Sequence, residues 1–186
     1  MDVFLETEHL LLRRFTSEDV DNLVELDSDP EVTHYITGDH ATPRDDVVED
    51  LLPTYLDYYR RYPGFGFWAV VEKSTSEFIG WFHFRPGEGD PGDEAELGYR
   101  VRRSAWGKGY ATEGSKALIH KGFAEFGVRR VRAETMVVNS ASRRVMEKAG
   151  LHYVRTFHQD WPYSIPGDEH GNVEYALTRD EWKVRE

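Results

Sequence analysis

Apolar residues in this chain recur with two different periods, and the switches between them predict short strands separated by amphipathic helices. Leu10, Leu12 and Phe15, set around Arg13 and Arg14, predict a first strand over residues 5–15. Thr16-Ser17-Glu18-Asp19 reads as a helix start, a capping hydroxyl followed by acidic residues, and Val20, Leu23, Val24 and Asp27 continue it at helical spacing through Leu26. Asp29-Pro30-Glu31-Val32 opens a short second turn. A longer helical stretch begins at Thr42-Pro43, with proline at the favoured first position, and runs toward Tyr62; Pro53 inside it should kink or divide it.

Residues 67–71 and 78–84 predict two strands, joined as a hairpin through Lys73-Ser74-Thr75-Ser76. A loop over 85–93, holding three Gly and two Pro, leads to a strand at 95–101. A helix follows Gly109 to about Phe126, where Gly127 ends it, and residues 128–138 return to strand. Asn139-Ser140 caps a short helix over 141–149 that Gly150 stops. Two last strands, near 152–159 and 172–178, flank a loop at 161–171. The pattern is that of one mixed α/β domain over residues 1–186, without internal repeats.

Composition narrows the class. At 186 residues and 39% hydrophobic, the chain can bury a sizeable core and has no apolar run long enough to span a bilayer, so no membrane is expected. The absence of cysteine excludes disulfides, thiolate metal sites and a cysteine nucleophile. Without the basic-then-apolar start of a signal peptide, the cytoplasm is the expected compartment. The net charge of −11 conceals a segregation: between Tyr99 and Lys148 there are 12 Lys and Arg against 4 acidic residues, a local +8. A basic segment in an acidic chain suits a local anionic ligand, while the acidic remainder attracts a cation; solvated helix and strand faces would give the same count. The overall sign argues against nucleic acid as a partner.

The stretch from Tyr99 through Trp106-Gly107-Lys108-Gly109-Tyr110-Ala111-Thr112-Glu113 runs from a strand through a glycine pair into a helix. The first amides of a helix lack intrahelical partners and carry the positive end of the dipole, and glycines let the backbone approach a phosphate. A dinucleotide fingerprint would need a third glycine or alanine where Thr112 stands. A Walker loop would need Gly-Lys-Ser/Thr, whereas Gly114-Ser115-Lys116 has the polar pair reversed, so a phosphotransferase is not supported.

The glycine loop resembles the pyrophosphate loop of the GNAT superfamily of acetyl-coenzyme A-dependent N-acetyltransferases, in particular the RimJ and RimL-like branch of ribosomal-protein-alanine acetyltransferases. The likeness covers nearly the whole chain: Leu10-Leu11-Leu12-Arg13-Arg14-Phe15, Asp29-Pro30-Glu31-Val32, Phe78-Ile79-Gly80-Trp81, Glu96-Leu97-Gly98-Tyr99, the glycine loop, and Asn139-Ser140-Ala141-Ser142 with Glu147-Lys148-Ala149-Gly150-Leu151. It implies a central, mostly antiparallel twisted sheet with a splay between two parallel strands, flanked by about four helices. It implies acetyl-CoA as co-substrate, its diphosphate on the amides of Gly107, Lys108, Gly109, Tyr110, Ala111 and Thr112, with Arg102, Arg103, Lys108 or Arg143 as counter-charges. The cofactor's amide-bearing arm would pair with the backbone of Tyr99, Arg100 and Val101, and Asn139 and Ser142 would complete the cofactor contacts.

An amine must lose its proton to attack a thioester, yet a lysine-like amine has a pKa near about 10.4 and an α-amine about 7.7 to 8. The resemblance offers Glu96 and Glu134 as bases, with His83 a weaker third choice; for both carboxylates the alternative is structural pairing with Arg100 or Arg132. Ser142 is the expected proton donor to the thiolate, because Met146 occupies the position where many relatives place a tyrosine. Ser104 stands where the motif often has Gln or Arg. With no cysteine, direct attack in a ternary complex is expected over an acyl-enzyme. The acceptor pocket in similar proteins would be walled here by Tyr55, Tyr58, Tyr59, Tyr62 and Phe65 and by Trp161, Tyr163, Ile165, Asp168, Glu169 and His170, although aromatics at helical spacing also fit a core. A cationic amine, small molecule or protein N-terminus, is the expected acceptor, and the chain a monomer or homodimer. No metal is expected: the eight histidines are scattered, and Asp168-Glu169-His170 reads as a hydrogen-bonded turn. The competing class is a catalytically weak acyl-CoA-binding module.

Overall fold

Thr7 turns the chain back on itself within the first predicted strand. Its amide donates to the Leu10 carbonyl at 2.9 Å and its hydroxyl accepts from the Leu10 amide at 3.0 Å. The computed structural model, which describes residues 2–38, 40–87 and 89–184, therefore has two antiparallel strands there, β1 (Val3–Glu6) and β2 (Leu10–Arg14), rather than one. A side-chain turn of this kind needs neither Gly nor Pro, the usual sequence marks of a reversal. Met1, Arg185 and Glu186, the ends of the expected domain, lie outside the described residues.

One eight-stranded sheet runs in the order β1-β2-β3-β4-β5-β6-β8-β7, with β3 at Gly66–Glu72, β4 at Glu77–Arg85, β5 at Glu94–Val101, β6 at Arg130–Met136, β7 at His152–Phe157 and β8 at Asn172–Thr178. Among the described pairings, β1 with β2, β2 with β3, β6 with β8 and β7 with β8 are antiparallel, and β5 with β6 is parallel. The parallel register joins Glu94, Ala95 and Glu96 to Arg130, Val131 and Arg132, and ends there although both strands continue. Beyond that point β6 keeps its hydrogen bonds with β8. The chain forms two compact units, residues up to 83 with 99–110, and 84–98 with 111 onward.

In the first unit, Phe15, Leu23, Leu26, Val47, Leu52, Tyr55, Phe67 and Phe78 form one buried cluster. It is covered by α1 (Val20–Ser28), α2 (Pro30–Thr33), α3 (Arg44–Asp46) and α4 (Leu52–Arg61), the last two joined by a π turn at Val47–Leu51. Pro53, expected to kink or divide this run, stands in the first turn of α4, directly after the π turn that separates it from α3. Proline removes an amide and crowds the carbonyl four residues back, and the wider π turn just before it absorbs both effects. Pro43 stands outside the helix as its cap, with ψ 147°, not at the first helical position.

Before α1, Thr16 and Asp19 form a reciprocal capping box. Asp19, buried, also takes two bonds from Arg13 at 2.7 and 2.8 Å and one from the Asn22 side-chain Nδ2 at 2.9 Å. Burial alone would raise its pKa; the Arg13, Thr16 and Asn22 donors outweigh it and hold the carboxyl below its ordinary value of 3.8. A depressed carboxylate stabilises the fold at pH above the unfolded value and loses that contribution as pH falls through the folded one. Replacing Asp19 with Asn is thus expected to lower the urea midpoint at pH 7 and to shrink its fall below pH 4.

The second unit contains α5 (Tyr110–Glu125, from Ala111 on), α6 (Ser140–Lys148) and α7 (Arg179–Lys183). Counting 44–61 as one run, the described residues hold six helices against the expected four or so. The extra two are short: α2 is the single turn expected at Asp29-Pro30-Glu31-Val32, capped by Asp29 and starting at Pro30, and α7, not expected, starts in a Thr178–Glu181 capping box on the last strand. Along β6, Val131 and Ala133 are fully buried, which turns Arg130, Arg132 and Glu134 to the opposite face. The alternation in β5 does the same, burying Ala95 and Leu97 and turning Glu94 and Glu96 outward.

Candidate functional site

The glycine loop belongs to the first unit and is held at both ends. The Arg102 amide donates to the Ile79 carbonyl at 2.7 Å, and the indole of half-exposed Trp106 donates to the Val101 carbonyl at 2.8 Å. At Gly80 a β-carbon would lie 2.1 Å from the Arg100 carbonyl oxygen, so glycine is what lets β4 approach β5 there. At the far end, buried Glu72 accepts the Tyr110 hydroxyl and, at 3.3 Å, the Lys108 ammonium, clamping the residues on either side of Gly109. The Tyr110 bond, more than burial or Lys108, sets the net effect and holds Glu72 below the usual carboxylate pKa.

Gly107 and Gly109 have φ of +75° and +82°, and a β-carbon at either would meet nothing within 4 Å. Glycine is thus required by backbone conformation, in a loop with open space on that side. The loop leads directly into the first turn of α5, where Tyr110, Ala111 and Thr112 follow and amides lack intrahelical acceptors. The basic side chains expected to help are already engaged. Arg102 is bound by Glu25 at 2.9 Å, Arg103 by Asp29 at 3.5 Å, Lys108 by Glu72, and Arg143 donates to the Tyr175 hydroxyl and the Val137 carbonyl; Arg100, in the segment expected to pair with the cofactor arm, is bound by Asp27. What this loop can offer a diphosphate is therefore main-chain N–H groups at the positive end of α5, beside two glycines at which a β-carbon would meet no neighbour.

In the second unit, Glu96 and Glu134 meet on one guanidinium. Arg132 contacts Glu134 at 2.8 Å, Asp90 at 2.9 Å, and Glu94 and Glu96 at 3.2 Å each. Arg130 bridges Glu94 and Glu174, and Arg155 binds the other oxygen of Glu174. These charges, Glu96 excepted, line a polar cleft of about 360 Å³. Burial, together with the charges of Glu96 and Glu174, outweighs the pull of Arg132 and raises the Glu134 carboxyl above its ordinary 4.5. Glu174 moves the other way: burial is opposed and overcome by its bonds from Arg130 and Arg155.

Asn139 caps α6, its side-chain oxygen accepting the Ser142 amide at 3.2 Å. Met146 is buried, and Arg143 donates to the Tyr175 hydroxyl and the Val137 carbonyl at 3.2 and 3.1 Å. His83 lies in an aromatic row with Phe67 and Trp81. Of the aromatics expected to wall an acceptor pocket, Tyr55 stacks on Phe67 in the core with ring centres 3.9 Å apart. The Tyr59 hydroxyl accepts the Phe15 amide and donates to the Phe67 carbonyl, and Tyr58 packs on Phe67 and Tyr62. In the 161–171 loop Ile165 is fully buried and Tyr163 exposed, while Asp168, at the head of a 3₁₀ turn through Glu169 and His170, accepts the Ile165 amide at 3.1 Å. Among the described residues no group of three or more His, Asp or Glu is arranged to hold a metal, and no helix is long and apolar enough to cross a membrane.

Sequence reasoning passed over Glu72, Asp27 and the cleft residues Asp90, Glu94, Arg130, Arg155 and Glu174. The strand period held a signal for part of that set: Glu94/Glu96 and Arg130/Arg132/Glu134 each alternate with apolar residues, so two charged rows must share a face.

Comparison with known proteins places these observations. The family described as Acetyltransferase (GNAT) domain matches residues 9–152. The FsC-acetyl coenzyme A-N(2)-transacetylase of Aspergillus fumigatus is 35% identical over 185 residues, covering 96% of this chain and 77% of that protein. RimL, a ribosomal L7/L12 alpha-N-protein acetyltransferase solved with coenzyme A, superposes with a TM-score of 0.79 at 18% identity, over 97% of this chain and 99% of its own. Spermidine N-acetyltransferase from Vibrio cholerae, solved with CoA and spermine, gives 0.76 at 14% identity over 95% and 99%.

Proposed function

The chain belongs to the GNAT acetyltransferase family, and from that premise we propose that it is a RimJ/RimL-like N-acetyltransferase that transfers acetyl from acetyl-CoA to a primary amine by direct attack in a ternary complex. The observation that carries this reading is the glycine loop, pinned at both ends, with φ positive at Gly107 and Gly109 and open space where a β-carbon would stand at either. The amides from Gly107 to Thr112 hold the diphosphate, the backbone of Tyr99 to Val101 pairs with the amide-bearing arm, and Asn139 and Ser142 complete the contacts. Acetyl-CoA supplies an acyl group activated as a thioester. Glu134 removes the ammonium proton of the acceptor and the neutral nitrogen adds to the thioester carbonyl; as the C–S bond breaks, the second proton on that nitrogen passes through the Ser142 hydroxyl to the departing sulfur, so that Ser142 ends as a hydroxyl and Glu134 returns its proton to solvent.

Glu134 is preferred to Glu96 because it lines the cleft with Glu174 and Arg155, which Glu96 does not, and burial there raises its carboxyl toward the range of the amine it must deprotonate. With 34 Asp and Glu against 23 Lys and Arg, the protein attracts an acceptor that arrives as a cation, a small amine or a protein N-terminus, in the cytoplasm.

Thiol release from acetyl-CoA with a panel of amines tests the reading, together with calorimetric titration of coenzyme A. Wild type is expected to bind coenzyme A and to release thiol only when an acceptor is present. Gly109→Val, which forces a branched side chain into φ +82° and fills the open space, is expected to weaken coenzyme A at least about tenfold. Binding without acceptor-dependent thiol release would instead identify an acyl-CoA-binding module.

A further inference from the structure

Three adjacent strands of the second unit place Glu134, Glu174 and Arg155 in one row. Glu134 is the register partner of Glu174 across β6 and β8, and Glu174 is the partner of Arg155 across β8 and β7. The second pairing exists because of a bulge: the register slips between Tyr153 and Arg155, so Arg155 rather than Val154 falls opposite Glu174. A bulge re-aims a side chain at the cost of ladder regularity, and such devices concentrate near binding sites.

Arg155 is also held in an unusual way. Its Nε donates to Glu174 Oε2 at 2.8 Å and its guanidinium lies over the Phe157 ring at 4.8 Å, while both terminal nitrogens make no further contact among the described residues. Its side chain is 58% exposed, against 15% for Arg132, which four carboxylates surround. A fixed guanidinium with an open fork is suited to a planar oxyanion. The cleft around it carries Asp90, Glu94, Glu134 and Glu174 with Arg130, Arg132 and Arg155. A polycation would meet three guanidiniums there, and a polyanion four carboxylates.

We infer that the acceptor is an amine that also carries a carboxylate, its amino group directed to Glu134 and its carboxylate received by the terminal nitrogens of Arg155. This rests on the acetyltransferase reading above and specifies its substrate class. Glu134 and Arg155 stand two strands apart, about 9.5 Å between backbones at ordinary strand spacing, and their side chains close in from either end. One small molecule spans the remainder.

The test is thiol release by the full chain over matched acceptors that differ by one carboxylate: ornithine against putrescine, lysine against cadaverine, phenylalanine against phenethylamine. Peptides with Asp or Glu beside a free N-terminus form a separate arm, which tells a protein acceptor from a free amino acid. The carboxylate-bearing member is expected to have a KM at least about tenfold lower. Because Arg155 also draws the Glu134 pKa down, Arg155→Met is compared above the acid limb, where it should raise that KM about tenfold against less than threefold for the decarboxylated partner, with kcat within twofold for both, and be partly rescued by Arg155→Lys. Equal KM values within every pair, or a loss of kcat in Arg155→Met shared by both members, overturns the inference while leaving acetyl transfer intact. Absence of thiol release with every amine removes the acetyltransferase reading, and this one with it.

Discussion

Glu134→Gln is expected to lower kcat about 10²- to 10⁴-fold, the usual contribution of a positioned general base, with little change in the KM for acetyl-CoA. The pH profile gives a sharper reading than the rate. Burial, with Glu96 and Glu174 close by, raises the Glu134 carboxyl above 4.5, so the form that accepts a proton is lost at a higher pH than for an ordinary glutamate. The acid limb of kcat/KM should therefore lie above 4.5 in wild type and vanish in Glu134→Gln. Glu96→Gln removes a neighbouring negative charge, which should move that limb to lower pH and change kcat little. Should the Glu134 variant keep its rate within threefold, or the limb survive in it, the base is not Glu134.

Asp27→Ala is expected to cost about 3 to 5 kcal/mol of stability, the loss seen when one partner of a buried ion pair is removed. Asp27 is 1% exposed and Arg100 13%, and the aspartate accepts from both Arg100 and the Thr42 hydroxyl. Without it the Arg100 guanidinium stays buried over the Trp81 ring with its charge uncompensated. Urea unfolding at pH 7 checks the magnitude. A change below about 1 kcal/mol would mean that Arg100 escapes to water in the variant. Because Arg100 sits in the strand segment assigned to the cofactor arm, coenzyme A titration of a folded Asp27→Asn variant would show whether this pair also shapes that segment.

What was legible in the sequence followed from local rules. Capping residues marked the starts of α1 and α6, and Gly127 and Gly150 marked helix ends. The residues of β5 beyond Ala95 were given by alternation, and the glycine pair by its position between strand and helix. The misses came where a side chain did the work of backbone punctuation: Thr7 closed a hairpin, and Thr178 with Glu181 started a helix on the end of a strand.

By itself the chain determined the order of its elements and the conformation of its glycine loop, because φ preference, capping and two-residue alternation act between neighbours. Partnership was decided only in three dimensions. Glu72 lies 36 and 38 residues from the lysine and tyrosine it clamps, Asp27 lies 73 from Arg100, and Glu174 lies 44 from Arg130 and 19 from Arg155. A charge finds its counter-charge through strand register and burial, and a single bulged residue in β7 determines which side chain faces Glu174.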